Sequence, residues 1–136
     1  MTAPRRASIA AWLGAALGFS YAHADAVSLS RDVQPILDRH CVACHLYESP
    51  QGSLSLEAGD TWGATVGVAS SQAPLPRITP GDPARSYLVH KLRGTQARVG
   101  GSGAAMPFNA DTGSSGLPRE ELELIERWIR AGAPDN

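Results

Sequence analysis

The sequence predicts an all-α fold of three to four short helices wrapped around a bound group. Apolar residues recur at helical spacing in four segments, no strand pattern competes with them, and the apolar content is thin for the length. The chain has 136 residues, 43% of them apolar and 18% charged, with a formal net charge of −1. That length limits it to one small domain. From Asp25 onward there are 26 large apolar residues (Leu, Ile, Val, Met, Phe, Trp) against 21 glycines and prolines. The aromatics of that part are only Tyr47, Trp62, Tyr87, Phe108 and Trp128. Domains this lean borrow stability from disulfides, a metal or a bound group. Two cysteines allow one disulfide at most, so composition favours a cofactor.

The first two dozen residues stand apart from the rest. Arg5 and Arg6 precede an apolar stretch from Ala7 to Ala22, and Ala22-His23-Ala24 has the small-x-small form that signal peptidases accept. The expected organisation is a signal peptide over 1–24 and a single domain over 25–136. The alternative, an uncleaved anchor, is opposed by the shortness of the stretch and by Ser20 and Tyr21 within it. Export would place the domain in the periplasm or otherwise outside the cytoplasm, in an oxidising compartment. The 112 residues that remain carry 10 basic and 13 acidic side chains, a net charge of −3. A nucleic-acid binder would show a basic stripe, and no other segment is apolar for long enough to cross a bilayer. The partners expected are proteins or small molecules, with no nucleic acid and no stable membrane insertion after cleavage.

Along the domain, Asp32 is expected to cap a first helix, with Pro35 tolerated in its first turn. Val33, Ile36, Leu37 and Cys41 then share one face, which delivers Cys41 to the interior. A short second helix starting at Asp60 would carry Trp62 and Val66, against the flexibility of Gly59, Gly63 and Gly67. The third is expected over Pro83–Arg93: Asp82 caps it, Leu88 and Leu92 stack one turn apart, and Gly94 closes it. The last begins at Pro118 and puts Glu120 and Glu121 in its positive first turn. It runs Leu122, Ile125, Trp128 and Ile129 along one side toward Gly132 and Pro134. Between Gly94 and Gly116 lies a glycine-rich segment around Ala105-Met106-Pro107-Phe108, and long irregular loops of this kind are commonly functional.

At the end of the first helix stands Cys41-Val42-Ala43-Cys44-His45, the attachment pattern of a c-type haem. Two thiols three residues apart on a helical turn can form thioethers with the two vinyl groups on one edge of a porphyrin. The next residue projects its imidazole toward the iron, which makes His45 the proximal ligand. Three other readings of the cysteines compete. A thioredoxin-like pair needs a βαβ setting and a helix N-terminus, whereas these cysteines come at a helix C-terminus. A structural zinc site usually wants four ligands, to be assembled from Cys41, Cys44, His45 and His40 or His90. A disulfide between Cys41 and Cys44 closes too small a loop to stabilise much.

An electron-carrying haem iron has a second axial ligand, and the choices after the leader are Met106, His40 and His90. Met106 is the only thioether left there, 61 residues after His45, and Pro107 stiffens the turn behind it. His40 adjoins Cys41 and is tied to the attachment edge. His90 lies between Val89 and Lys91, on a different face from Leu88 and Leu92, and is the real competitor. Arg77, Arg98 and Trp62 are candidates for contact with the propionates. A carbonyl from the loop near Pro50 to Ser53 is expected to fix the His45 ring.

Several segments together resemble a known family. Asp32-Val33-Gln34-Pro35-Ile36-Leu37 before the motif, Gly81-Asp82-Pro83 with Ser86-Tyr87-Leu88, Met106-Pro107, and Leu122 to Ala133 are similar to planctomycete-type cytochrome c domains of the class I cytochrome c fold. The resemblance covers nearly all of Ser28 to Pro134. It implies one covalent haem c with its iron, His45 and Met106 as axial ligands, a C-terminal helix packing across the first, and electron transfer as the role. Gly113-Ser114-Ser115-Gly116-Leu117 departs from the pattern, because Leu117 stands where a polar cap is expected before the last helix.

The function expected is that of an exported single-haem carrier of electrons between a donor and an acceptor redox protein, with no catalytic residues of its own. One alternative is a haem enzyme or ligand sensor whose distal position is open or whose Met106 is displaceable. The other is a zinc or disulfide module without haem.

Overall fold

Ser28, and not Asp32, opens the first helical run in the computed structural model, which describes residues 26–48, 50–108 and 116–136. The expected signal peptide over 1–24 and Gly113-Ser114-Ser115 lie outside the described residues. Ser28 Oγ accepts from the Arg31 amide at 3.3 Å, and the Ser28 amide donates to Asp32 Oδ2 at 2.7 Å. This is a reciprocal cap with one residue more between its partners than an ordinary capping box has. The extra residue matches a first turn, Leu29–Val33, that is wound as a π-helix. Asp32 therefore serves the cap from four residues downstream. The run continues as α1, Gln34–His40, with Pro35 in its first turn as expected.

Helix α2 is a single turn, Thr61–Thr65, directly after Asp60. Asp60 does not cap it, because its carboxylate accepts from Ser55 Oγ at 2.8 Å. The buried residues of α2 are Thr61 and Thr65, while Trp62 is 39% exposed.

The third expected helix is broken in two. Pro83–Arg85 forms one 3-10 turn, capped as expected by Asp82, whose Oδ1 accepts from the Arg85 amide at 3.1 Å. Helix α3 then spans Tyr87–Arg93. Ser86 between them is extended and fully buried; its hydroxyl donates to the Asp82 carbonyl at 2.8 Å and accepts from the Thr79 amide at 2.9 Å. Those side-chain bonds compete with helical ones, as serine hydroxyls do. Gly94 closes α3 in the left-handed conformation, φ 67°, as the sequence predicts.

Helix α4 spans Arg119–Arg130, one residue after Pro118, with Glu120 and Glu121 in its first turn. Ile125, Trp128 and Ile129 are buried, and Leu122 packs partly against the same core. Among the described residues the architecture is helical; the extended pairing consists of two isolated bridges, Val66 with Ile78 and Ala69 with Pro76.

One core joins the Leu29–Val33 turn, α1, α3 and α4 through Val33, Ile36, Leu37, Val89, Leu92, Ile125, Trp128 and Ile129. Contacts between charged and polar side chains reinforce it. Arg93 of α3 reaches Glu126 of α4 at 2.6 Å, and Arg39 and His40 at the end of α1 meet Glu121 of α4 at 2.7 and 2.9 Å. Among the described residues no helix is long and apolar enough to cross a membrane.

Candidate functional site

The end of α1 shapes the five-residue motif. The Cys41 and Val42 amides both donate to the Leu37 carbonyl, at 2.8 and 3.0 Å, and the Cys44 and His45 amides then fold back onto the Cys41 carbonyl at 3.1 and 3.0 Å. The motif is thus one further turn, with the two cysteines on its rim. Cys41 packs against the core and Cys44 is exposed; both are free thiols. Burial, with smaller contributions from Cys44 and Glu121, pushes the Cys41 thiol up to about 11. A thiol held protonated at neutral pH is the opposite of what a thioredoxin-like pair needs. Among the described residues no three His, Cys, Asp or Glu side chains are grouped to hold a metal ion.

His45 Nδ1 lies 3.1 Å from the Leu54 carbonyl. The carbonyl comes from one residue beyond the expected Pro50–Ser53 stretch, because the register is set from the other side. The Leu56 amide donates to the His45 carbonyl at 2.9 Å, and the Leu56 carbonyl accepts from Gln34 Nε2 at 2.8 Å. Gln34 is buried; its Oε1 accepts from Thr61 Oγ1 and its Nε2 also reaches Asp38, both at 2.8 Å. A side chain of α1 therefore fixes the loop that orients the histidine at the end of α1. With Nδ1 engaged, Nε2 is the ring nitrogen left for a ligand.

The methionine loop is held by α3. The Met106 amide donates to the Lys91 carbonyl at 2.9 Å, and Lys91 Nζ donates to the Ser102 and Ala104 carbonyls at 3.2 and 2.6 Å. Gln96 Nε2 donates to the Gly103 carbonyl at 2.8 Å. Gly101 lies so close to the Tyr87 ring that a Cβ there would stand 2.5 Å from it. Partial burial lowers the basicity of the Lys91 ammonium.

These segments enclose a cavity of about 440 Å³ whose walls include Cys41, Cys44, His45 and Met106. That volume is within the range of cofactor and small-molecule sites. Leu54, Leu56, Leu88 and Leu92 supply apolar wall, and Gln51, Ser70, Gln72 and Arg77 supply a polar share.

The other sequence candidates divide. His40 lines the cavity, but its Nε2 is paired with Glu121. His90, the competitor of Met106, does not line it: Nδ1 is 2.9 Å from Thr95 Oγ1 and Nε2 is 2.9 Å from the Ala84 carbonyl, so both nitrogens are committed within α3's own neighbourhood. Arg77 lines the cavity and straps its wall, donating to the Ala64, Gly52 and Ser53 carbonyls at 2.8, 3.3 and 3.1 Å. Arg98 is exposed and outside the lining. Trp62 is also outside, its indole Nε1 donating to the Ala133 carbonyl at 2.9 Å. Neither of these two is placed to meet a group in the cavity. Sequence reasoning missed Gln34 and Lys91, which build the site through hydrogen bonds that no periodicity announces; the one signal for Lys91 was its place between the wall residues Leu88 and Leu92. The chain matches no family model, no curated protein and no solved structure.

Proposed function

We propose that the protein is an exported single-haem c-type cytochrome that carries electrons one at a time between redox proteins. Cys41 and Cys44 would hold the haem covalently, and His45 and Met106 would be its axial ligands. The observation that carries this reading is that two free thiols, an imidazole with one nitrogen already tied and a thioether border one largely apolar cavity, although Met106 is 61 residues from His45. The donor set and the walls fit the group.

A haem held by imidazole and thioether supplies one-electron chemistry with little change in its ligand shell, and the thioether favours the ferrous state. The rest falls to this chain's own residues. The Leu54 carbonyl accepts a hydrogen bond from the His45 Nδ1–H, which fixes the tautomer and raises the basicity of Nε2. Leu54, Leu56, Leu88 and Leu92 would give the group an apolar wall to pack against. Arg77 brings a positive charge to the polar share of the wall, where it can meet the carboxylates of the bound group while it straps the Gly52–Ser53 turn. Ligation by both His45 and Met106 would leave no open position for a substrate, and neither a His nor an Arg adjoins Met106 in the sequence to act as a distal acid or base.

The test is the absorbance spectrum of protein made together with the haem-attachment machinery. The expected result is a ferrous haem c α band, with a weak ferric absorption at the red end that disappears in Met106→Ala. A high-spin ferric spectrum would indicate an open distal position and a haem enzyme or sensor. A colourless protein with the mass of the bare polypeptide would overturn the reading.

A further inference from the structure

We propose that Lys91 is the positioning residue for Met106, seating its thioether in the cavity through both its main chain and its ammonium group. The inference rests on the reading of Met106 as an axial ligand. Lys91 grips the loop at three points: its carbonyl takes the Met106 amide at 2.9 Å, and its Nζ donates to the Ser102 and Ala104 carbonyls at 3.2 and 2.6 Å. It can do so rigidly because it sits on α3 between Leu88 and Leu92, which form cavity wall, and it lines the cavity itself.

The loop needs such a device. Gly100, Gly101 and Gly103 give the segment before Met106 an unusual range of backbone conformations, and that entropy opposes any single seated geometry. Other tethers of the segment before Met106 act further from the methionine. Tyr87 Oη reaches the Ser102 carbonyl only at 3.4 Å, and Gln96 holds Gly103. Among the described residues, Lys91 is the one that holds Ser102, Ala104 and Met106 together.

A ligand from solution competes for the iron only while the loop is released, so its apparent affinity scales with the released fraction. Loss of a charge-assisted bond to a carbonyl shifts that equilibrium by about tenfold or more. The experiment is titration of the haem-loaded, ferric protein with imidazole, together with the reduction potential. Lys91→Met keeps the apolar stem and the main-chain bond but loses the ammonium, and is expected to bind imidazole about tenfold more tightly at a lowered potential. Lys91→Gln, which shortens the side chain and removes the charge, should shift in the same direction and serves as the second variant. Lys91→Arg, which keeps cationic donors, should stay within about threefold of wild type. In a Met106→Ala background, already at the high-affinity limit, Lys91→Met should add nothing.

Unchanged imidazole affinity in both Lys91→Met and Lys91→Gln overturns the proposal. So does an equal gain in the Met106→Ala background, which would mean that Lys91 acts on something other than the thioether. Failure of the underlying reading looks different: Met106→Ala would itself bind imidazole no more tightly than wild type.

Discussion

Gly101→Ala tests how closely the methionine loop is packed onto α3. The added Cβ would stand 2.5 Å from both Cε2 and Oη of Tyr87 and 2.9 Å from the Gln96 carbonyl oxygen. No real Cβ tolerates such distances, and only part of the clash can be relieved by a side-chain shift. Tyr87 is 5% exposed, so its ring has little room to swing, and the Gln96 oxygen is main chain that accepts from the Gly101 amide at 2.9 Å. Overpacking of this kind costs about 1–3 kcal/mol. In a domain of this size that corresponds to a fall of roughly 5–15 °C in Tm. Gly63→Ala is the matched control. It adds the same methyl group at an exposed position of α2 with no atom within 4 Å, and should be neutral or stabilising by up to about 1 kcal/mol through helix propensity. The assay is thermal unfolding of the haem-loaded proteins followed by circular dichroism, with imidazole titration in parallel. Because the strain falls on the loop that carries Met106, Gly101→Ala should also raise imidazole affinity. A Gly101→Ala protein that melts at or above the wild-type temperature and binds imidazole normally would refute the close approach and the reasoning built on it.

Three further expectations follow from other contacts. Gln34→Ala strips the buried Leu56 carbonyl of its donor and Thr61 of an acceptor, and should cost about 2–3 kcal/mol in denaturant unfolding. Asp32 is held below its ordinary value near 3.8 by its bonds to Arg31 and the Ser28 amide, so its contribution to stability is present above that value and is lost as pH falls through the folded one. Unfolding midpoints of wild type and Asp32→Asn measured against pH should therefore differ at neutrality and converge in acid. Finally, on the proposed reading a covalently held haem would supply much of the buried apolar area, so Cys41→Ala/Cys44→Ala should fail to reach a cooperative fold; a sharp calorimetric transition in that protein would count against it.

The parts of this molecule written as local pattern were legible in advance. The stripe from Leu122 to Ile129 gives α4, the Asp82-Pro83 pair gives a capped turn, and Gly94 gives the end of α3. Cys41, Cys44, His45 and Met106, singled out by spacing and by elimination, border one cavity. What escaped depends on bonds between distant or competing groups. Ser28 takes the cap from Asp32 because the first turn is π-wound, and Ser86 interrupts the third helix because its hydroxyl is saturated by Thr79 and Asp82. The loop that backs His45 was expected near Pro50 to Ser53, and Leu54 next to it supplies the carbonyl; what stayed hidden is that Gln34 ties that loop to α1. Trp62 looked like a partner for a bound group, yet its indole is spent on Ala133.

Leu92 belongs at once to the helical core and to the rim of the cavity, and Leu88 and Cys41 touch both regions as well. The partition between what keeps the chain folded and what lines the cavity is therefore a single side chain thick. Any change that thins it is felt on both sides, so the stability of the core and the shape of the cavity vary together.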